Sequence, residues 1–144
     1  MSDLPPTILL VEDSEDDVFL MQRALTKANI TYPLQIATDG EQALQYLRGE
    51  GRFIDRRQHP APSLVFLDLK LPYVHGFEVL AWIRGHTSLA ALPVVVLTSS
   101  PEERDREKAL ALGAKAYLVK PPTKEMILEA VKFLSVPEPG TVVG

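Results

Sequence analysis

Short apolar runs alternate along the chain with stretches whose apolar residues recur every three or four positions. Residues 7–11, TILLV, form a β-rich run that ends in two acids, Glu12 and Asp13. Ser14 follows, with Asp17 three positions on, the spacing of a helix-opening capping box. Val18, Met21, Leu25 and Ala28 then keep helical spacing, and Asn29 supplies a stop. Residues 34–38, LQIAT, predict a second strand. Asp39-Gly40 turns the chain, and Ala43, Leu44 and Leu47 line one face of a second helix. Residues 48–62 carry Gly, Pro and many charges, which reads as a long exposed loop.

The third strand is 64–68, LVFLD. Pro72 and Gly76 interrupt the chain before a helical period through Phe77, Leu80, Ala81 and Arg84 that fades near His86. Pro93 opens PVVVLTSS, a fourth strand rich in β-branched residues. A charged helix over 102–112 ends at Gly113, and 116–119, AYLV, make a fifth strand that stops at Lys120 and a proline pair. A last helix covers about 123–134. Five strands alternate with five helices, and the central strands are continuously apolar. That pattern predicts an α/β fold: a doubly wound parallel sheet with helices on both faces. The organisation is an N-terminal extension over 1–6, one domain over 7–134 and a Pro/Gly-rich flexible tail over 135–144.

Composition narrows the class without changing it. The 144 residues are 46% hydrophobic and 24% charged, an ordinary balance for one domain with a core. A net charge of -4 gives no reason to expect nucleic-acid binding. The chain has no cysteine, which excludes disulfides and thiolate metal sites. The start, MSDLPPTILLVEDS, lacks the basic opening of a signal peptide, and no apolar stretch approaches the ~20 residues of a membrane helix. A cytoplasmic protein without membrane contact is the expectation.

Ligands of open parallel sheets bind beyond the carboxyl ends of the strands. The first strand ends in Glu12 and Asp13, the third in Asp68, the fourth in Thr98-Ser99-Ser100 and the fifth in Lys120. Asp68 is the anomaly, a carboxylate in an otherwise apolar strand. Three carboxylates on one rim repel each other, and a divalent cation relieves that. All-oxygen donors suit Mg²⁺ or Mn²⁺. A hard cation, a lysine and a hydroxyl beside a carboxylate can together hold the oxygens of a phosphoryl group while the carboxylate attacks phosphorus.

With LLVEDS, VFLDLKLP followed by Gly76, VVLTSS and AYLVKP in this order, the chain resembles a response-regulator receiver domain of the CheY-like, flavodoxin-like kind over about residues 7–134. The resemblance implies strand order 2-1-3-4-5. It also implies a stand-alone two-component regulator that is phosphorylated by a sensor histidine kinase and is no enzyme beyond its own phosphorylation and dephosphorylation. Asp68 would be the phosphoacceptor. Asp13 would be a direct Mg²⁺ ligand, Glu12 would act through metal-bound water, and Lys70 would lend its backbone carbonyl. Thr98 would be the switch hydroxyl, Tyr117 the aromatic that moves with it, and Lys120 the phosphate-binding lysine before a cis Lys120–Pro121 bond. Glu12 replaces the usual aspartate, Pro122 a frequent phenylalanine, and Lys70 holds a position that tunes phosphoryl lifetime in the family. The long 48–62 loop resembles that of single-domain regulators paired with bacterial phytochromes.

Other residues have plainer readings. Asp16 and Asp17 complement the dipole of the first helix. His59, His75 and His86 are surface residues, and Arg52, Arg56 and Arg57 are solvated. On the last helix, Ile127, Val131 and Leu134 form one apolar stripe and Met126, Ala130 and Phe133 a second, which means a wide core face or a partner surface. The resemblance favours a homodimer through the fourth helix, fifth strand and fifth helix, against a monomer whose tail covers that face. A phosphate sink or a phosphorelay intermediate are variants of the same switch. An aspartate-nucleophile phosphatase would need a second acid where Lys70 stands. A flavodoxin-type cofactor module would need a phosphate cradle where VEDSEDD is acidic.

Overall fold

The computed structural model describes residues 5–134; the expected extension lies mostly, and the tail wholly, outside the described residues. The chain runs β1 (Ile8–Val11), α1 (Glu15–Lys27), β2 (Leu34–Ala37), α2 (Gly40–Arg48), β3 (Leu64–Leu67), α3 (Gly76–Gly85), β4 (Val94–Thr98), α4 (Glu103–Ala111), β5 (Ala116–Val119) and α5 (Lys124–Ala130). The five strands form one sheet in the order β2-β1-β3-β4-β5, and all four pairings are parallel.

The pleat divides the core in two. Leu9, Val11, Val65, Leu67, Val94 and Val96 face α2, α3 and α4 through Ala43, Tyr46, Val79, Leu80, Ile83 and Ala109. Their neighbours Ile8, Leu10, Leu64, Phe66, Val95 and Leu97 face α1 and α5 through Met21, Leu25, Ile127 and Ala130. Because both faces are covered, β1, β3 and β4 are buried at every residue, which is why they read as unbroken apolar runs.

Helix boundaries follow local chemistry. The Ser14 hydroxyl accepts the Asp17 N–H and opens α1, and Asn29 leaves the helix with a φ of 58°. The Asp39 carboxylate caps α2, and Gly49 closes it with a φ of 67°. His75, expected only as a surface residue, accepts the Phe77 N–H through Nδ1 and so caps α3.

Three expectations need correction. Asp68 does not end β3 but stands one residue beyond it, although its N–H still donates to Val11 O at 3.1 Å. The last helix is shorter than 123–134: α5 ends at Ala130 and a 3-10 turn follows over Val131–Phe133. Ile127 and Ala130 are buried, and Val131, Phe133 and Leu134 pack against the same core, so the paired stripes form a wide core face.

The 48–62 loop is the third. Gly51–Phe53 make a 3-10 turn that buries Phe53 against Tyr46, with ring centroids 4.9 Å apart. His59 is half-buried, edge-on to both rings, and the Tyr46 hydroxyl donates to Pro60 O at 2.8 Å. Arg56 is not solvated; it donates to Leu47 O and His59 O, while Arg52 and Arg57 are exposed. The loop is a small annex of the core, signalled by Phe53 among its charges.

Gly76 shows how tightly α3 is set against the acidic rim. A Cβ there would collide with the Asp68 carbonyl oxygen and come within 2.6 Å of Leu69 Cα. Alanine is the better helix former by about 1 kcal/mol. Gly76→Ala is nevertheless expected to lower the unfolding free energy by about 1–3 kcal/mol, because backbone must move to admit the methyl group. Urea denaturation checks this; an unchanged or raised midpoint would remove the clash argument.

Candidate functional site

The frame of the site is backbone. The Glu12 N–H donates to Ala37 O at 2.9 Å, the Asp68 N–H to Val11 O at 3.1 Å and the Lys120 N–H to Thr98 O at 2.8 Å. Each of these residues thus leaves its strand still bonded to the neighbouring one, and the parallel register brings all three to one rim. The Lys120–Pro121 peptide is cis, as the resemblance implied.

Side chains converge on this frame. Carboxylate oxygens of Glu12, Asp13 and Asp68 all lie within 4.8 Å of one another. Glu12 and Asp68 are buried, whereas Asp13 is exposed and keeps the cluster open to solvent. The Lys120 ammonium sits 2.6 Å from Glu12 Oε1, 2.7 Å from Asp17 Oδ2 and 3.0 Å from Asp68 Oδ2. The Lys70 N–H points at Asp68 Oδ1 from 3.4 Å, and the Ser14 N–H donates to Glu12 Oε2 at 3.2 Å.

Asp17 is the residue that sequence reasoning missed. Its capping-box spacing suggested a carboxylate turned back to the Ser14 N–H, but that N–H is taken by Glu12, and Asp17 reaches across to Lys120. One signal was available: Asp17 stands in the first turn of α1, which follows the acids after β1 by a single residue, Ser14. Asp16 remains exposed, as expected.

Thr98 and Tyr117 lie on the far side of the rim. Thr98 is wholly buried at the end of β4, with Oγ1 3.5 Å from the Ser100 amide nitrogen. The Tyr117 hydroxyl donates to Ser100 O at 2.7 Å, which holds the ring inward with 6% exposure. Burial raises the Tyr117 pKa, against the opposing hydrogen bond to Ser100. The Ser100 hydroxyl in turn donates to Asp105 Oδ2 on α4 at 2.7 Å. Ser100 stood among the strand-end hydroxyls of the sequence, whereas its link to Asp105 required the fold.

The donor set fits a hard divalent cation. It is three carboxylates without nitrogen or sulfur, and a lysine ammonium already serves as counter-charge to two of them. The groove beside Glu12 and Asp13, floored by Val18, Phe19 and Ile36, holds about 200 Å³. That groove runs between α1 and β2 and includes neither Asp68 nor Lys120 in its lining, so it lies beside the carboxylate cluster rather than over it.

Burial pushes the Glu12 carboxyl up to about 7, with the Asp68 charge adding to the rise and the Lys120 hydrogen bond opposing it. For Lys120, burial alone would favour the neutral amine, but hydrogen bonds to Asp17, Glu12 and Asp68 outweigh it and raise the pKa. The folded chain therefore binds more protons at Glu12 than the unfolded chain between pH 4.5 and about 7. That contribution is present below 4.5 and lost as pH rises through about 7. In chelator, the melting temperature is expected to fall across this window, and Glu12→Gln to flatten the slope. Melting curves from pH 4 to 8 test it, and an identical slope in the variant would refute the assignment to Glu12.

Sequence and structure comparisons agree with this geometry. The family model described as "Response regulator receiver domain" matches residues 8–132. The response regulator Rcp1 of Synechocystis sp. strain PCC 6803 is 41% identical over 119 residues, 83% of this chain and 79% of that protein. The structure of the bacteriophytochrome response regulator RtBRR superposes with a TM-score of 0.81 at 41% identity, covering 97% of this chain and 82% of that one. The Mn²⁺-bound form of Rcp1 gives a TM-score of 0.77 at 36% identity, covering 92% and 97%. With a match across nearly the whole described fold, this chain belongs to the response-regulator receiver-domain family.

Proposed function

We propose that the chain is a stand-alone phosphorylation switch that receives a phosphoryl group on Asp68 from a sensor histidine kinase. The observation that carries this reading is the meeting of Glu12, Asp13 and Asp68 within 4.8 Å, with Lys120 Nζ 3.0 Å from the proposed acceptor. Coverage of 97% of the Rcp1 chain supports the stand-alone form. The likeness to the bacteriophytochrome regulator RtBRR supports a phytochrome as the kinase.

An Asp68 oxygen attacks phosphorus, the P–N bond of the phosphohistidine breaks, and the imidazole nitrogen keeps the electron pair. Asp13, Asp68, water held by Glu12 and the Lys70 carbonyl would hold Mg²⁺, or the Mn²⁺ found in Rcp1. When bound, that ion neutralises the carboxylates and the incoming phosphoryl oxygens. Lys120 holds one phosphoryl oxygen and Thr98 donates to another. Thr98, by moving toward the phosphoryl group, releases space for Tyr117, and the surface around α4 and β5 changes for a downstream protein. A phosphate sink or phosphorelay intermediate would use the same chemistry with a different recipient. The phosphatase reading lacks its second acid, since Lys70 stands there, exposed. A cytoplasmic location completes the proposal; no helix among the described residues is long and apolar enough to cross a membrane.

Acetyl phosphate with Mg²⁺ is expected to add one phosphoryl group, seen by intact mass, and Asp68→Asn to abolish it. An adduct that survives the substitution would overturn the assignment. Leu110, Val119 and Leu128 remain exposed on α4, β5 and α5, which supports the homodimer. Sedimentation is expected to show dimer with a phosphoryl mimic and monomer after Val119→Lys; a monomer under all conditions would remove the dimer from the proposal.

A further inference from the structure

Two sets of carboxylates overlap at this rim. Those grouped closely enough to hold a metal ion are Glu12, Asp13 and Asp68. Those that touch the Lys120 ammonium are Glu12, Asp17 and Asp68. Asp17 is the difference: among the described residues it alone holds the ammonium without belonging to the metal-binding trio.

The ammonium donates to Asp17 and Asp68 and has a Glu12 oxygen 2.6 Å away, so three carboxylates surround its three N–H donors. Two of those partners belong to the trio that would hold a divalent cation, Asp68 directly and Glu12 through water. A cation entering the trio therefore competes with Lys120 for Glu12 and Asp68. The ammonium is largely buried, with 12% side-chain exposure, so it cannot simply swing into water. It needs an anion outside the trio, and Asp17 is placed 2.7 Å away, with 31% side-chain exposure.

From this geometry we infer that Asp17 is a positioning residue: it is the berth that keeps the Lys120 ammonium beside Asp68 while a divalent cation occupies the trio. The inference rests on the proposed metal site. Without the Asp17 charge, Lys120 leans wholly on Glu12 and Asp68 and opposes the cation more strongly. With the charge, the lysine yields those oxygens and stays within reach of a group on Asp68.

The test is Mg²⁺ binding by titration calorimetry on the full chain, in the wild type, Asp17→Asn, Lys120→Met and the double variant, with circular dichroism confirming the fold of each. Asp17→Asn keeps size and hydrogen bonding but removes the charge. Its side chain is partly exposed and α1 is opened by Ser14, so the fold is expected to hold. Mg²⁺ affinity is expected to fall roughly five-fold in Asp17→Asn, the scale of a partly exposed ion pair. In the Lys120→Met background the same substitution is expected to change affinity by less than about two-fold, because the coupling runs through the lysine. Asp17→Glu is expected to restore part of the loss.

Equal losses in both backgrounds would overturn the berth, since Asp17 would then act on the cation through its field alone. No loss in the wild-type background would overturn it as well. A wild-type chain that binds no Mg²⁺ would instead strike the metal site itself, and the berth with it. The metal site stands independently if the wild type binds and only the coupling fails.

Discussion

One ammonium shared among three carboxylates is the constraint around which the rim is organised. Lys120 joins the loop after β5 to the turn after β1, to α1 and to the residue beyond β3. A buried charge without a partner is costly, so Lys120, Glu12 and Asp68 depend on one another, while Asp17 is partly exposed. The arrangement is still unbalanced. Glu12, Asp13, Asp17 and Asp68 gather around one lysine, and burial, with the Asp68 charge adding to it, raises the Glu12 pKa toward neutral pH. The remaining carboxylate charge is what the proposed cation would neutralise.

Such a cluster can exist only on a rigid support. The sheet provides it twice over. Backbone hydrogen bonds tie Glu12, Asp68 and Lys120 to adjacent strands beyond the last regular pairing. Beneath them, Val11 and Leu67 are buried in one core and Leu97 in the other, so the strand ends are anchored on both faces of the sheet. Gly76 seats α3 directly on the Asp68 backbone. The apolar residues flanking Asp68 in the sequence are thus part of its chemistry, because they fix where its oxygens lie.

The fold was readable because its strongest signals are periodic. β1, β3 and β4 are buried on both faces and announce themselves as continuous apolar runs, and the strand-end positions of Glu12, Asp13, Asp68, Thr98 and Lys120 follow from parallel alternation alone. What the sequence hid were contacts between distant residues. Asp17 meets Lys120 across 103 positions, and local helix chemistry gave it an adequate but different explanation. His59 and Arg56 looked solvated because their surroundings are charged, and only the packing of Phe53 against Tyr46 reveals that annex. The second stripe on the last helix was ambiguous because periodicity shows which faces are apolar but not how broad the surface beneath them is.

The Ser100–Asp105 contact has a bearing on how the rim communicates with the surface. Helix α4 begins at Glu103 with no side-chain cap from Glu102. Its entry is fastened instead by Ser100, whose hydroxyl receives the Glu102 N–H and donates to Asp105. The same residue's carbonyl holds the Tyr117 hydroxyl. A single serine two residues beyond β4 therefore joins three groups: the Glu102 N–H, the Asp105 carboxylate and the Tyr117 hydroxyl. One residue, two positions beyond Thr98, is thus bonded both to an aromatic ring and to the first turn of an exposed helix.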